Sequence, residues 1–183
     1  MVAAANPLRG VKPDSEYVAS IVAAIKGPVV LVGHSYGGTI ISNAASTNGN
    51  VNALVFVAGF APEAGESAAD LAARFPGGTL REKLIPVALP DGGKDLFGDL
   101  DKNIPVGAHA FVAKRAGARR TVVVKGASHV VMLSHADAVA ECMCSVIQGD
   151  VGRIDAGDEI DPGRKLATAC PGCETPEDDT RAW

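Results

Sequence analysis

The chain has no uninterrupted apolar stretch long enough to span a bilayer, although 47% of its residues are hydrophobic. Its first residues, Met1-Val2-Ala3-Ala4-Ala5-Asn6-Pro7, lack a leading basic residue and a long apolar run, so no secretory leader is expected there. A cytoplasmic location and no membrane partner are the corresponding expectations. No basic stripe is present, which argues against a nucleic-acid partner. No internal repeat is visible. Cysteine is scarce, at four residues. Cys170-Pro171-Gly172-Cys173 forms a CxxC, and Cys142 with Cys144 would complete a four-thiolate set. Those two, however, fall in an apolar helical pattern, where cysteine is usually a small core residue. No metal is therefore expected.

What is present fits one soluble domain with a real core, since 183 residues suit one domain better than two. The net charge of -4 is unevenly spread. Residues 149–183 hold nine acidic and four basic residues, a net of -5, and residues 1–148 hold twelve and thirteen, a net of +1. The tail is rich in glycine, proline and charge, and is expected to be disordered. The expected division is a folded unit over 1–148 and an acidic tail over 149–183.

Within the folded unit, Pro13-Asp14 opens a helix, with Asp14 as its cap and Tyr17, Val18, Ile21, Val22 and Ile25 at helical spacing. Gly27-Pro28 ends it. Val29–Val32 is a continuous apolar run, the pattern of a buried parallel strand. Thr39–Ala45 reads as a helix, Val51–Ala58 as a second buried strand, and Glu66–Arg74 as a short helix. Pro86 argues against a central strand over Leu84–Leu89, and Pro90–Gly98 reads as a loop. Pro105–Ala116 is helical with proline in its first turn. Thr121–Lys125 reads as a strand and Ala136–Ile147 as a helix capped by Ser134. Helices alternating with apolar strands imply an α/β fold, with a mostly parallel central sheet flanked by helices.

Gly33-His34-Ser35-Tyr36-Gly37 is a GxSxG, a weak pattern alone. Its setting strengthens it: a buried strand runs into it and a helix leaves it, the context of a nucleophile elbow. The bland alternative is a glycine-rich turn that happens to hold a serine. In an elbow, Gly33 and Gly37 must be nearly bare so that strand and helix can pack, and Gly38 gives further room. The turn would expose the Ser35 hydroxyl and set the Tyr36 N–H where it can donate to an oxyanion.

Serine needs a base. Of four histidines, His34 lies inside the elbow and shapes the turn, His109 sits in a helix and is expected to be exposed, and His135 begins a helix. His129 follows the strand Thr121–Lys125 through Gly126-Ala127-Ser128. Loops at the carboxyl ends of parallel strands gather the ligand-binding groups of α/β sheets, so His129 is the candidate base. The acid, in the order serine–acid–histidine, comes from Asp95, Asp99 or Asp101.

The segments Ala5–Gly10, Tyr17–Ser20, Gly27–Gly38, Ala58–Ser67, Asp101–Pro105 and Gly126–His129 resemble a bacterial α/β-hydrolase family of the small esterase type. In plan that family is similar to the methylesterase and hydroxynitrile lyase group. The resemblance implies Ser35 as nucleophile, His129 as base, and Asp101 as acid, in a Gly-x-x-Asp turn matched by Gly98–Asp101. It implies hydrolysis of a small-molecule ester with no cofactor. Against that plan three departures are expected. The chain starts after the strand and His-Gly turn that supply a second oxyanion donor. The helical cap and the strand leading into the acid turn are absent. The tail does not match the family's end. The fold expected is thus a truncated α/β-hydrolase fold, open to water and associating into homo-oligomers. The competing expectation is a catalytically inactive hydrolase-like protein, either a binding module or a degenerate copy.

Overall fold

The computed structural model describes residues 1–78, 85–90, 92–97, 104–149 and 159–160, with 94–97 and 159–160 as backbone alone. The first layer is helix α1 (Val11–Ala23), strand β1 (Val29–His34), helix α2 (Tyr36–Ala45) and strand β2 (Val51–Val57). β1 and β2 pair in parallel, from Val29 against Val51 to His34 against Val57, with one irregularity between Val29 and Val30. This is the βαβ arrangement that the two apolar runs require: parallel neighbours need a crossover, and α2 supplies it. Alternate residues of a strand share a face. Val29 and Leu31 accordingly join a core with Val18 and Val22 of α1 and with Ile40 and Ala44 of α2. Asn50 closes this layer, its side-chain amide donating to the Val22 and Ile25 carbonyls (both 3.2 Å) at the end of α1. The Val22 carbonyl also accepts the Ile25 N–H at 3.0 Å, so this bond adds to the closing turn of α1.

α1 begins earlier than expected, with Gly10 rather than Asp14 at its cap position. Asp14 is not its cap; it lies in the first turn, fully buried, and its own N–H donates to the Gly10 carbonyl. Its carboxylate turns back to accept the Arg9 N–H at 3.0 Å.

A second layer follows β2. Helix α3 (Ala68–Ala73) starts at Ser67, whose hydroxyl oxygen accepts the Asp70 N–H, an N-cap bond. Helix α4 (Val106–Arg115) starts after Pro105. Leu71 of α3 packs with Ala108 and Val112 of α4, and with Phe60 and Ile104, in a separate core. Arg115 ties this layer to the segment after β2. It pairs with Glu66 (2.8 Å) and Glu63 (3.3 Å) and donates to the Ala61 carbonyl (2.9 Å). The Arg115 guanidinium holds the Glu66 carboxyl below its usual range.

Strands β3 (Ile85–Ala88) and β4 (Lys94–Phe97) form an antiparallel hairpin. The expected loop over Pro90–Gly98 is therefore corrected: its second half is a strand, and a strand does lead towards Gly98. The described strands thus form three separate two-stranded sheets, of which β1–β2 and a short pair further along the chain are parallel and β3–β4 is antiparallel. Strand β5 (Val123–Val124) is shorter than the five residues expected and pairs in parallel with β6 (Glu159–Ile160), a described stretch of the acidic tail.

Helices α5 (Val131–Ser134) and α6 (Ala136–Ile147) end the described body. Ser134 is not the cap of α6. It belongs to α5, His135 occupies the cap position without a side-chain bond to the helix, and the Ser134 hydroxyl meets His135 Nδ1 at 2.8 Å. α6 lies against β1 and β2. Cys142 and Cys144 on it are half-buried and not joined in a disulfide, and burial pushes the Cys142 thiol up. Cys170 and Cys173 lie outside the described residues. Among the described residues no helix is long and apolar enough to cross a membrane, and no cluster of His, Cys, Asp or Glu could hold a metal.

Candidate active site

Ser35 stands between the last residue of β1 and the first of α2, at φ 53 and ψ -121. Such a backbone is rare for a residue with a Cβ and stores about 1–3 kcal/mol. Three backbone hydrogen bonds hold it there. The Ser35 N–H donates to the Val57 carbonyl (3.2 Å), and the Ser35 carbonyl accepts from Gly38 N–H (3.0 Å) and Phe60 N–H (3.2 Å). The ends of both strands thus clamp the turn.

The glycines explain why the turn can be this tight. A Cβ on Gly33 would stand 2.5 Å from the Gly37 carbonyl oxygen. A Cβ on Gly38 would collide with the Phe60 carbonyl oxygen. Gly37 differs from expectation, because a Cβ there would meet open space. The crowded pair is Gly33 and Gly38. The first is pressed by the helix start, the second by the chain leaving β2.

Tyr36 opens α2, so its N–H has no acceptor in a preceding helical turn. Its phenol donates to Asp14 Oδ2 at 3.1 Å. Burial and then the Asp14 carboxylate push that phenol up to about 12. Sequence reasoning missed this link. An acidic residue early in a helix reads as a cap, and nothing in the spacing of Asp14 and Tyr36 marks them as partners.

His129 is buried, at 6% exposure, in the loop between β5 and α5. Its ring lies 4.7 Å from that of His34, tilted by 44°. His34 Nε2 lies 3.0 Å from the His129 carbonyl oxygen. His109, expected to be exposed on α4, is partly buried, and burial lowers its pKa. Burial, then His34 and His109, push the His129 imidazole down to about 4. A neutral ring at pH 7 is the form that can accept a proton.

The structure thus gathers Ser35, Tyr36, His34 and His129 at the carboxyl end of β1. Among the described residues no hydrogen bond joins the Ser35 hydroxyl to the His129 ring. Such bonds are often long before substrate arrives. Asp99 and Asp101 lie outside the described residues, and Asp95 is placed only as backbone in β4.

Comparison with known proteins agrees with this geometry. A family profile described as the alpha/beta hydrolase family matches residues 6–112. That span holds the elbow and stops short of His129. The chain is also similar to a pimeloyl-[acyl-carrier protein] methyl ester esterase of Neisseria meningitidis serogroup A. The two are 34% identical over 123 residues, which cover 66% of this chain and 35% of that esterase.

Proposed function

We propose that this chain, which belongs to the alpha/beta hydrolase family, is a serine hydrolase that cleaves small carboxylic esters. The observation that carries the proposal is the strained Ser35 backbone between β1 and α2, clamped from three sides. Strain of this kind persists only where the surroundings over-determine it, and it clusters at active sites.

Ser35 Oγ attacks the ester carbonyl while His129 takes its proton. The oxyanion of the tetrahedral intermediate receives the Tyr36 N–H, at the positive end of α2. His129 returns the proton to the departing alkoxide, and the alcohol leaves. Water then attacks the acyl-enzyme by the same route. Asp101 serves as the acid that orients His129 and stabilises its charged form. No cofactor takes part, because every proton and bond in the cycle is handled by these side chains. The similar esterase is named for a methyl ester, which supports a small alcohol as leaving group.

A fluorophosphonate probe tests this directly. The expected result is one covalent adduct, mapped to Ser35, with turnover of a p-nitrophenyl ester falling by a factor of about 10⁴ or more in Ser35→Ala. A folded sample that takes no label at Ser35 overturns the proposal. The competing reading is a catalytically inactive hydrolase-like protein, favoured by the absence of a Ser35–His129 hydrogen bond. Ester turnover that vanishes in Ser35→Ala removes it.

A further inference from the structure

We propose that His34 is a positioning residue of this site. It donates its Nε2–H to the His129 carbonyl and so fixes the loop that holds the His129 ring beside the elbow. The inference rests on the hydrolase reading for its meaning in catalysis, while the tether itself stands on geometry.

A carbonyl oxygen only accepts, so the 3.0 Å contact requires the proton on His34 Nε2. His34 is well placed as the fixed end. It is the last residue of β1, in register with Val57, and it adjoins Ser35 in the chain. His129 is the end that needs fixing. The strand before it is two residues long, and the helix after it is four. Between them the described backbone bonds are few and local, such as Ala127 N–H to the Val124 carbonyl at 3.4 Å. The bond from His34 reaches 95 positions along the chain and lands on the backbone of His129 itself. With the rings 4.7 Å apart, a change at His34 moves or charges the surroundings of the base directly.

The same contact has an electrostatic side. Among the described residues, His34 from β1 and His109 from α4 are the titratable groups that act on the His129 ring. Each disfavours a positive charge there.

Two variants separate tether from charge. His34→Leu removes the donor, and His34→Gln keeps an amide N–H at similar reach. Three readings are taken on each folded variant: hydrogen exchange of residues 126–130, the NMR titration of the His129 ring, and kcat and KM for a p-nitrophenyl ester across pH. His34→Leu is expected to speed exchange in the loop and move the His129 titration towards that of a free imidazole. It should also lower kcat by a factor of about 10–100 at little change in KM, the scale of a misplaced catalytic group. His34→Gln should restore the loop protection and most of kcat. A His34→Leu protein with unchanged exchange and titration overturns the tether, as does a His34→Gln protein as impaired as His34→Leu. If the wild-type protein takes no fluorophosphonate, the hydrolase reading falls, and the exchange and titration arms alone still decide whether His34 holds the loop.

Discussion

Ser35 and His129 both lie near His34 at the carboxyl end of β1 but are placed there by different means. Ser35 is set by backbone. Parallel pairing from Val29 to His34, three main-chain bonds and two crowded glycines leave its turn little choice. His129 is set by side chains and burial. It hangs between a two-residue strand and a four-residue helix, and the imidazole of His34 bonds to its backbone from 95 positions away. A backbone-built position tolerates no added atom at its crowded points, here Gly33 and Gly38, but many side-chain changes elsewhere. A side-chain-built position can be tuned, and it can also be lost by one substitution.

The strongest way to break this contrast lies in the elbow glycines. In Gly38→Ala the new methyl would overlap the Phe60 carbonyl, and in Gly33→Ala the carbonyl of Gly37. Neither neighbour is a side-chain tip that can swing away. Each substitution is expected to destabilise by about 3 kcal/mol or more, at or beyond the upper end of overpacking. Gly37→Ala is the control. It adds a methyl into open space within α2 and removes a glycine from a helix, so a gain of about 0.5–1 kcal/mol is expected. Urea melts of the three variants decide the point. Equal losses in all three would show that the elbow is not crowded where the structure places the crowding.

His129 offers the next largest effect, through pH. The His129 imidazole is held at about 4 in the folded protein and titrates near 6.5 when unfolded. Between those values the unfolded chain binds the extra proton, so acid favours unfolding. The stability that comes from burying a neutral ring is complete above pH 6.5 and is lost as pH falls towards 4. The whole window is worth about 3 kcal/mol. Stability measured from pH 7 to 4 should fall by about that amount in wild type, and by much less in His129→Gln. A His129→Gln protein with the wild-type acid slope would place the loss on other groups.

The two regions also differ in how far the sequence announces them. The elbow was legible because a continuous apolar run, a GxSxG and a helical stretch follow one another without a gap. That order alone implies strand, strained turn and helix. Which glycines are crowded was not legible, since spacing does not say that the chain leaving β2 passes over Gly38 rather than Gly37. The hairpin was hidden by Pro86 in β3 and by Gly92-Gly93, read as a loop. Gly92 in fact takes φ 83 in a turn closed by the Leu89 N–H to the Gly93 carbonyl at 2.9 Å. The partial burial of His109 is not legible in the sequence, because a helical pattern fixes spacing but not the face. Here Ala108 and Val112 are buried, and they carry His109 partly inwards with them. His129 could be chosen from its place after a strand, but its partnership with His34 could not. That bond depends on where a loop folds back, and no local pattern encodes it.

The smallest expected effect tests the boundary between the two modes, at Tyr36. Its N–H belongs to the backbone-built elbow and its phenol to a side-chain link with the buried Asp14. Tyr36→Phe removes only the phenol. Asp14 then keeps the Arg9 N–H but loses a donor to a buried carboxylate, at a cost of about 1–2 kcal/mol. The alkaline side should change as well. In the folded protein the phenol is held up at about 12 against 10 for the free group, so the folded state keeps a proton that the unfolded state releases. That contribution is complete below pH 10 and disappears as pH rises through 12, and Tyr36→Phe should flatten this limb. The rate of Ser35 labelling per folded molecule should stay within about twofold, because the proposed oxyanion donor is a main-chain group and α2 keeps its start. A large loss of labelling in a stable Tyr36→Phe protein would mean that the phenol also holds Ser35 in place, making the elbow dependent on a side chain as His129 is.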